Sequence, residues 1–196
     1  MKHMRRSIFV WMALGGALLA GCGGLQDMWE GPGAQSFRPS SIAVLPPIVG
    51  NFDESREPAQ EVVTNALKKS TRYTRVLGPD EVNGPLAASN ETREALTSYL
   101  SGLETAGVSD KGAAAKLAQA LKADALIVVK VNSWEYTRLE GDKVAKVSLG
   151  LRLIDPKQGA IVWKARHTDT TSYMFFKPNL KDLAADLSAY MIKHIP

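Results

Sequence analysis

The 196-residue chain has one cysteine, Cys22, and three histidines, His3, His167 and His194. A single thiol excludes an internal disulfide and any thiolate-rich zinc site. No histidine has a His or Cys partner at ligand spacing, and His-Glu-x-x-His does not occur, so neither a metal nor another cofactor is expected. The Gly-x-Ser-x-Gly nucleophile elbow of serine hydrolases is missing as well. Gly141-Asp142-Lys143 lacks the upstream glycine of a phosphate loop and precedes a strand rather than a helix. Surplus charge is also scarce. The formal net charge is +4, but Lys2, Arg5 and Arg6 stand before Cys22 with no acid among them, which leaves only +1 beyond it. Without a basic stripe interleaved with aromatics, a nucleic-acid partner is not expected. His167 ends a predicted strand, and His194 lies near the end of the last predicted helix, where a cation suits the helix dipole. No residue is assigned a catalytic role.

What the chain does have begins at its start. Met1 to Arg6 is positively charged, and Ile8 to Ala20 is apolar and uncharged. That stretch has the length of a signal-peptide core and is too short for a spanning helix, which needs about 20 apolar residues. It ends in Leu19-Ala20-Gly21-Cys22, which resembles the lipobox of bacterial lipoproteins at every position. The resemblance implies that residues 1–21 are a signal peptide cut between Gly21 and Cys22. It also implies that Cys22 carries a diacylglyceryl group and an acylated amino terminus. Burial stabilises by about 0.8 kcal/mol per CH₂, and one acyl chain holds only marginally, so several chains on one residue make a firm anchor. Gly23, where an Asp would favour the inner membrane under the family's sorting rule, implies the outer membrane with the domain facing the periplasm. Residues 22–39, with Gly23, Gly24, Gly31, Pro32, Gly33 and Pro39, read as a flexible tether. Fully extended, its 18 residues would reach about 65 Å. Trp29 reads either as a membrane-interface residue or as an incidental linker tryptophan.

From Ser40 to Pro196 the patterning is that of one α/β domain. Ile42-Ala43-Val44-Leu45 is a buried-strand run stopped by Pro46-Pro47. Pro58 suits a first helical turn, and Val62, Val63, Ala66 and Leu67 share a helical face. Tyr73 to Leu77 is a second strand closed by Gly78-Pro79, and Asn83 to Asn90 reads as a loop. Glu91 and Glu94 open a helix carrying Leu96, Tyr99, Leu100 and Leu103. Ser109 or Asp110 caps a helix carrying Ala114, Leu117, Ala118 and Leu121. The continuous run Ala125 to Val131 is a strand covered on both faces. Ala145, Val147, Leu149, Leu151 and Leu153 alternate with Lys146, Ser148 and Arg152, and the turn Asp155 to Gly159 returns the chain through Ile161-Val162-Trp163, a hairpin. A final helix follows Pro178-Asn179, with Leu180, Leu183, Ala184, Leu187, Tyr190 and Met191 on one stripe. Strands alternating with helices and then a hairpin predict a mixed sheet flanked by helices.

Two surface features carry functional expectations. Tyr173-Met174-Phe175-Phe176 places four bulky apolar residues before Lys177-Pro178; they either pack under the final helix or form a partner surface. Asp53, Glu54 and Glu57 cluster after the first strand and are either a solvated loop or part of an acidic cleft.

Three stretches resemble a group of envelope lipoproteins and their relatives that includes LpoB, CsgG and the amino-terminal domain of TolB. They are Ile42 to Pro47, Leu117 to Val128, and Leu151 to Trp163. The resemblance implies a compact α/β domain and no catalytic centre. A channel-forming member needs further amphipathic strands of about 9–11 residues, and only Lys143 to Ile154 approaches that length, so a pore is not expected. The expectation is a non-enzymatic, lipid-anchored factor that binds an envelope protein or copies of itself. A tethered enzyme or small-ligand binder using the acidic loop is the alternative, and a secretion-channel subunit ranks below both.

Overall fold

A computed structural model describes residues 24–196. The expectations for the signal peptide, the Gly21–Cys22 cleavage point and lipidation at Cys22 lie outside the described residues. Six strands form one mixed sheet: β1 (Asp27–Glu30), β2 (Ser41–Val44), β3 (Arg75–Leu77), β4 (Ala125–Leu139), β5 (Asp142–Asp155) and β6 (Ala160–Ser172), in the spatial order β1-β6-β5-β4-β2-β3. β2 runs parallel to both β3 and β4, while β4, β5, β6 and β1 are successively antiparallel. The α/β architecture read from the sequence is the one observed.

Five helices cover this sheet: α1 (Arg56–Lys69), α2 (Pro79–Ala87), α3 (Asn90–Thr105), α4 (Lys111–Leu121) and α5 (Leu180–Ile192). α1 and α5 close one face, where Val63, Leu67, Leu187 and Met191 meet Ile127, Val129, Leu149, Leu151 and Trp163. α2, α3 and α4 close the other, where Leu86, Tyr99, Leu103 and Leu117 meet Ala43, Leu126, Val128 and Ile154. The second layer stops early, because it covers β2, β3, the beginning of β4, the end of β5 at Ile154 and the start of β6 at Ile161. Beyond Val128 that face of β4, β5 and β6 carries polar side chains, the one-sided exposure open to antiparallel sheets.

Local chemistry explains the element ends. Ser89, Asp110 and Asn179 accept the backbone N–H of Thr92, Ala113 and Lys181 and so cap α3, α4 and α5. Of the two cap candidates for α4, Asp110 is the one used, while Ser109 Oγ pairs with the Tyr99 hydroxyl at 2.8 Å. At the β5–β6 turn Gly159 has φ +68, and a Cβ there would lie 2.4 Å from Lys111 Cβ, so both backbone and space demand glycine.

Three expectations are corrected. Residues 83–90, read as a loop, include the end of α2: Pro79 sits at its first turn, and Glu81 reaches back to accept the Gly78 N–H at 3.0 Å. Asn83-Gly84-Pro85 mimics a turn, but the cap and burial of Val82 and Leu86 outweigh it. β4 does not stop at Val131; it passes a bulge between Val131 and Ser133 and continues to Leu139. The strands β4, β5 and β6 therefore have 15, 14 and 13 residues, so strand length no longer argues against a channel. Finally, the 22–39 stretch read as a tether contains β1 and a 3-10 turn at Ala34–Ser36.

Candidate functional site

The β5–β6 hairpin has one end held in the fold and one end free. At the held end, the turn from Asp155 to Gly159 abuts the start of α4, and Pro156 is buried. At the free end β4 turns into β5 at Glu140-Gly141, and β6 leads into Tyr173 to Phe176. These four are the partner surface suggested by the sequence, and they do not pack under α5. Met174, Phe175 and Phe176 are 79%, 87% and 91% exposed; Tyr173 is half-buried, edge-on to Tyr136 with ring centroids 6.0 Å apart. Leu139 is exposed beside the neighbouring turn. The Tyr136 hydroxyl donates to the Pro178 carbonyl at 2.7 Å, and Tyr173 N–H donates to the Lys143 carbonyl at 3.0 Å. The loop is thus fastened at both its ends while its three most apolar side chains face water. Beneath it lies a shallow groove lined by Arg138, Lys143 and Lys177, with no acid in its lining. Lys177 Nζ stands 4.7 Å from the Tyr136 ring centroid, a cation–π contact.

A second feature occupies the bare sheet face. Lys130, Arg152, Lys164 and Arg166, together with Trp29, border a cavity of about 390 Å³. Each cation has a partner. Lys130 pairs with Glu104 at 3.7 Å, and Arg152 Nη1 donates to the Leu103 carbonyl at 2.9 Å in the last turn of α3. Lys164 lies over the Trp29 ring at 5.4 Å, and Arg166 Nε donates to Asp27 Oδ2 at 2.7 Å. The charges are spent on holding β1 and α3 to the sheet. Trp29, ambiguous in the sequence, lies on β1 at the border of that cavity and is 43% exposed.

β1 is fixed by more than its ladder with β6. Gln26 N–H donates to His167 Nδ1 at 3.2 Å, and Leu25 packs against the core under α1 and α5. His167 itself leans on the Tyr190 ring at 5.1 Å, which in turn meets His194 at 4.9 Å. Both histidines therefore serve the junction between α5, β6 and the incoming chain. Sequence reasoning missed His167 in this role because its partner is a backbone amide 141 residues away.

The acidic trio borders one open cavity of about 670 Å³, together with Arg56 and Asp80. Asp53 and Glu54 lie in a 3-10 turn and Glu57 in the first turn of α1, all exposed, and Asp53 is paired with Arg56 at 2.9 Å. Among the described residues no three His, Cys, Asp or Glu side chains gather as metal ligands. No helix of the described residues is long and apolar enough to cross a membrane.

No protein-family model matches the sequence, and no curated protein matches it significantly. Solved structures do share the fold. The chain is similar to PelC from Paraburkholderia phytofirmans, solved as a dodecamer, with 20% identity, a TM-score of 0.54, and coverage of 85% of this chain and 92% of that one. It is also similar to the lipoprotein GNA1162 from Neisseria meningitidis, with 19% identity, a TM-score of 0.52, and coverage of 79% and 99%. The C-terminal domain of LpoB from Salmonella enterica matches at 14% identity with a TM-score of 0.40, over 66% and 82%.

Proposed function

We propose that this protein is a lipid-anchored lipoprotein of the bacterial envelope, held at the outer membrane with its domain in the periplasm. Its domain is a non-enzymatic assembly module that associates with copies of itself or with another envelope protein. The lipobox supports the anchor, and the shared fold with the lipoprotein GNA1162 agrees with it. The observation that carries the assembly reading is the free half of the sheet. β4, β5 and β6 extend past the α2–α4 layer and leave one face uncovered, a shape suited to contact with other chains. That PelC, of like fold, was solved as a dodecamer supports self-association.

The test is the native mass of the lipidated protein released in mild detergent, together with in-cell crosslinking from a residue on the bare face such as Lys146. A defined oligomer or a single reproducible crosslinked species is expected. Monomer alone by both methods would overturn the assembly reading. The acidic-cleft alternative predicts that replacing Asp53, Glu54 and Glu57 together abolishes function; the assembly reading predicts that it leaves function nearly intact.

A further inference from the structure

The route of the incoming chain and the exposed aromatic loop lie toward the same end of the molecule. The β1–β6 register pairs Asp27 with Arg166, and Gln26 is bonded to His167, so the antiparallel course places Leu25 near the level of Thr168. Moving from Leu25 back to Cys22 spans three residues, at most about 11 Å. In the same direction, Ser172 lies four residues beyond Thr168, about 13 Å along the strand, and the Met174–Phe176 loop follows directly. In the opposite direction, the strand start at Ala160 is eight residues from Thr168, about 26 Å away. With Leu25 nearer the free end, a leash of this length brings that end to the bilayer more readily than the held one.

From this placement we propose that Met174, Phe175 and Phe176 insert into the lipid surface beside the acyl anchor, so that the domain sits on the membrane free end down. The proposal rests on lipidation at Cys22. It makes the occupant of the exposed loop a phospholipid surface rather than a protein. Two phenylalanines and a methionine bring the apolar area that such insertion requires, and a position at the membrane interface suits aromatic rings. Arg138, Lys143 and Lys177 line the groove behind them and face the anionic headgroups. Glu140 and Asp142 stand at the adjoining turn, so attraction is local to the loop and apolar insertion carries the larger share.

The test uses the full lipidated chain. Acylation occupies the thiol of Cys22, so Phe176→Cys and, separately, Lys157→Cys each create one free thiol for an environment-sensitive fluorophore. Both sites are exposed, and a circular dichroism spectrum unchanged from the parent confirms the fold. Each labelled chain is reconstituted into vesicles of phosphatidylethanolamine and phosphatidylglycerol. At position 176 the emission shifts to the blue and is quenched several-fold more by lipids bearing a shallow nitroxide than at position 157. Equal, water-like emission at both positions in vesicle-bound protein would overturn the proposal. So would a blue shift at 176 that lipid nitroxides do not quench, since that marks burial against protein. Chains that do not float with the vesicles, with an unmodified Cys22 by mass, refute the anchor instead, and that outcome is distinct from both others.

Discussion

The two ends of the β5–β6 hairpin are built from similar strand sequence and yet lead opposite lives. At the turn end, Asp155 to Gly159 is pressed against α4, Trp163 is fully buried under α5, and the neighbouring start of β4 is tied to β2. At the other end, three large apolar side chains stand in water on a loop anchored by Tyr136 and Lys143. α5 starts four residues after Phe176, yet all three side chains stay exposed. The contrast teaches that stability is concentrated at the held end, while the free end leaves its apolar surface in solvent.

Breaking the held end should cost most. Trp163→Ala removes a side chain with no exposed surface and should destabilise by about 3–5 kcal/mol in urea unfolding. Trp163→Phe should cost far less than Trp163→Ala, because the buried Nε1 has no hydrogen-bond partner to lose. Gly159→Ala places a Cβ against the start of α4 in a left-handed conformation and should cost about 1–3 kcal/mol by the same measurement.

Asp124 sharpens the comparison through pH. The Ser40 and Ser41 hydroxyls and the Ser41 amide, all donating to its carboxylate, hold its pKa below the usual range. A depressed pKa means that the contribution is complete above the unfolded-state value and disappears as the pH falls through the folded-state value. Asp124→Asn should therefore lower stability by about 1 kcal/mol at neutral pH, with the gap to the parent closing on acidification. Stability curves that stay parallel down to acid pH would contradict this role.

Midway along the hairpin, His167→Ala removes the acceptor of the Gln26 N–H and should cost about 0.5–1.5 kcal/mol. Its clearer signature is faster proteolytic nicking near Gln26, with the rest of the domain intact. At the free end, Phe175→Ser with Phe176→Ser should change stability by about 0.5 kcal/mol or less, since both are already solvated. A large loss there would erase the distinction between the ends.

Much of this was legible from residue patterns, and the misses have physical causes. The run Ile42 to Leu45, the α4 stripe Ala114 to Leu121, and the alternation along β5 are buried-face signals, and burial leaves periodicity in a sequence. β1 left none. Asp27-Met28-Trp29-Glu30 is an edge strand exposed at all four positions, held by backbone pairing, by Arg166 on Asp27 and by Lys164 on Trp29, none of which is local. The outer part of β4 was equally silent: after the bulge, Asn132, Glu135 and Arg138 break the apolar run that marked its start. For Tyr173 to Phe176 the residues were correctly singled out, but whether they face core or water depends on where the hairpin ends relative to α5. Composition cannot decide that.

The miss at β1 matters most for function. On the proposed anchor at Cys22, a free 18-residue tether would let the domain roam about 65 Å from the bilayer; a docked β1 leaves three residues from Cys22 to Leu25, a reach of at most about 11 Å. Amide hydrogen exchange on the full chain tests the docking of β1 directly. If β1 is docked, peptides spanning Gln26 to Gly31 are protected together with β6, including the Gly31 amide that donates to the Val162 carbonyl at 2.8 Å. Exchange across that segment at the rate of an unstructured chain would restore the long tether and contradict the account.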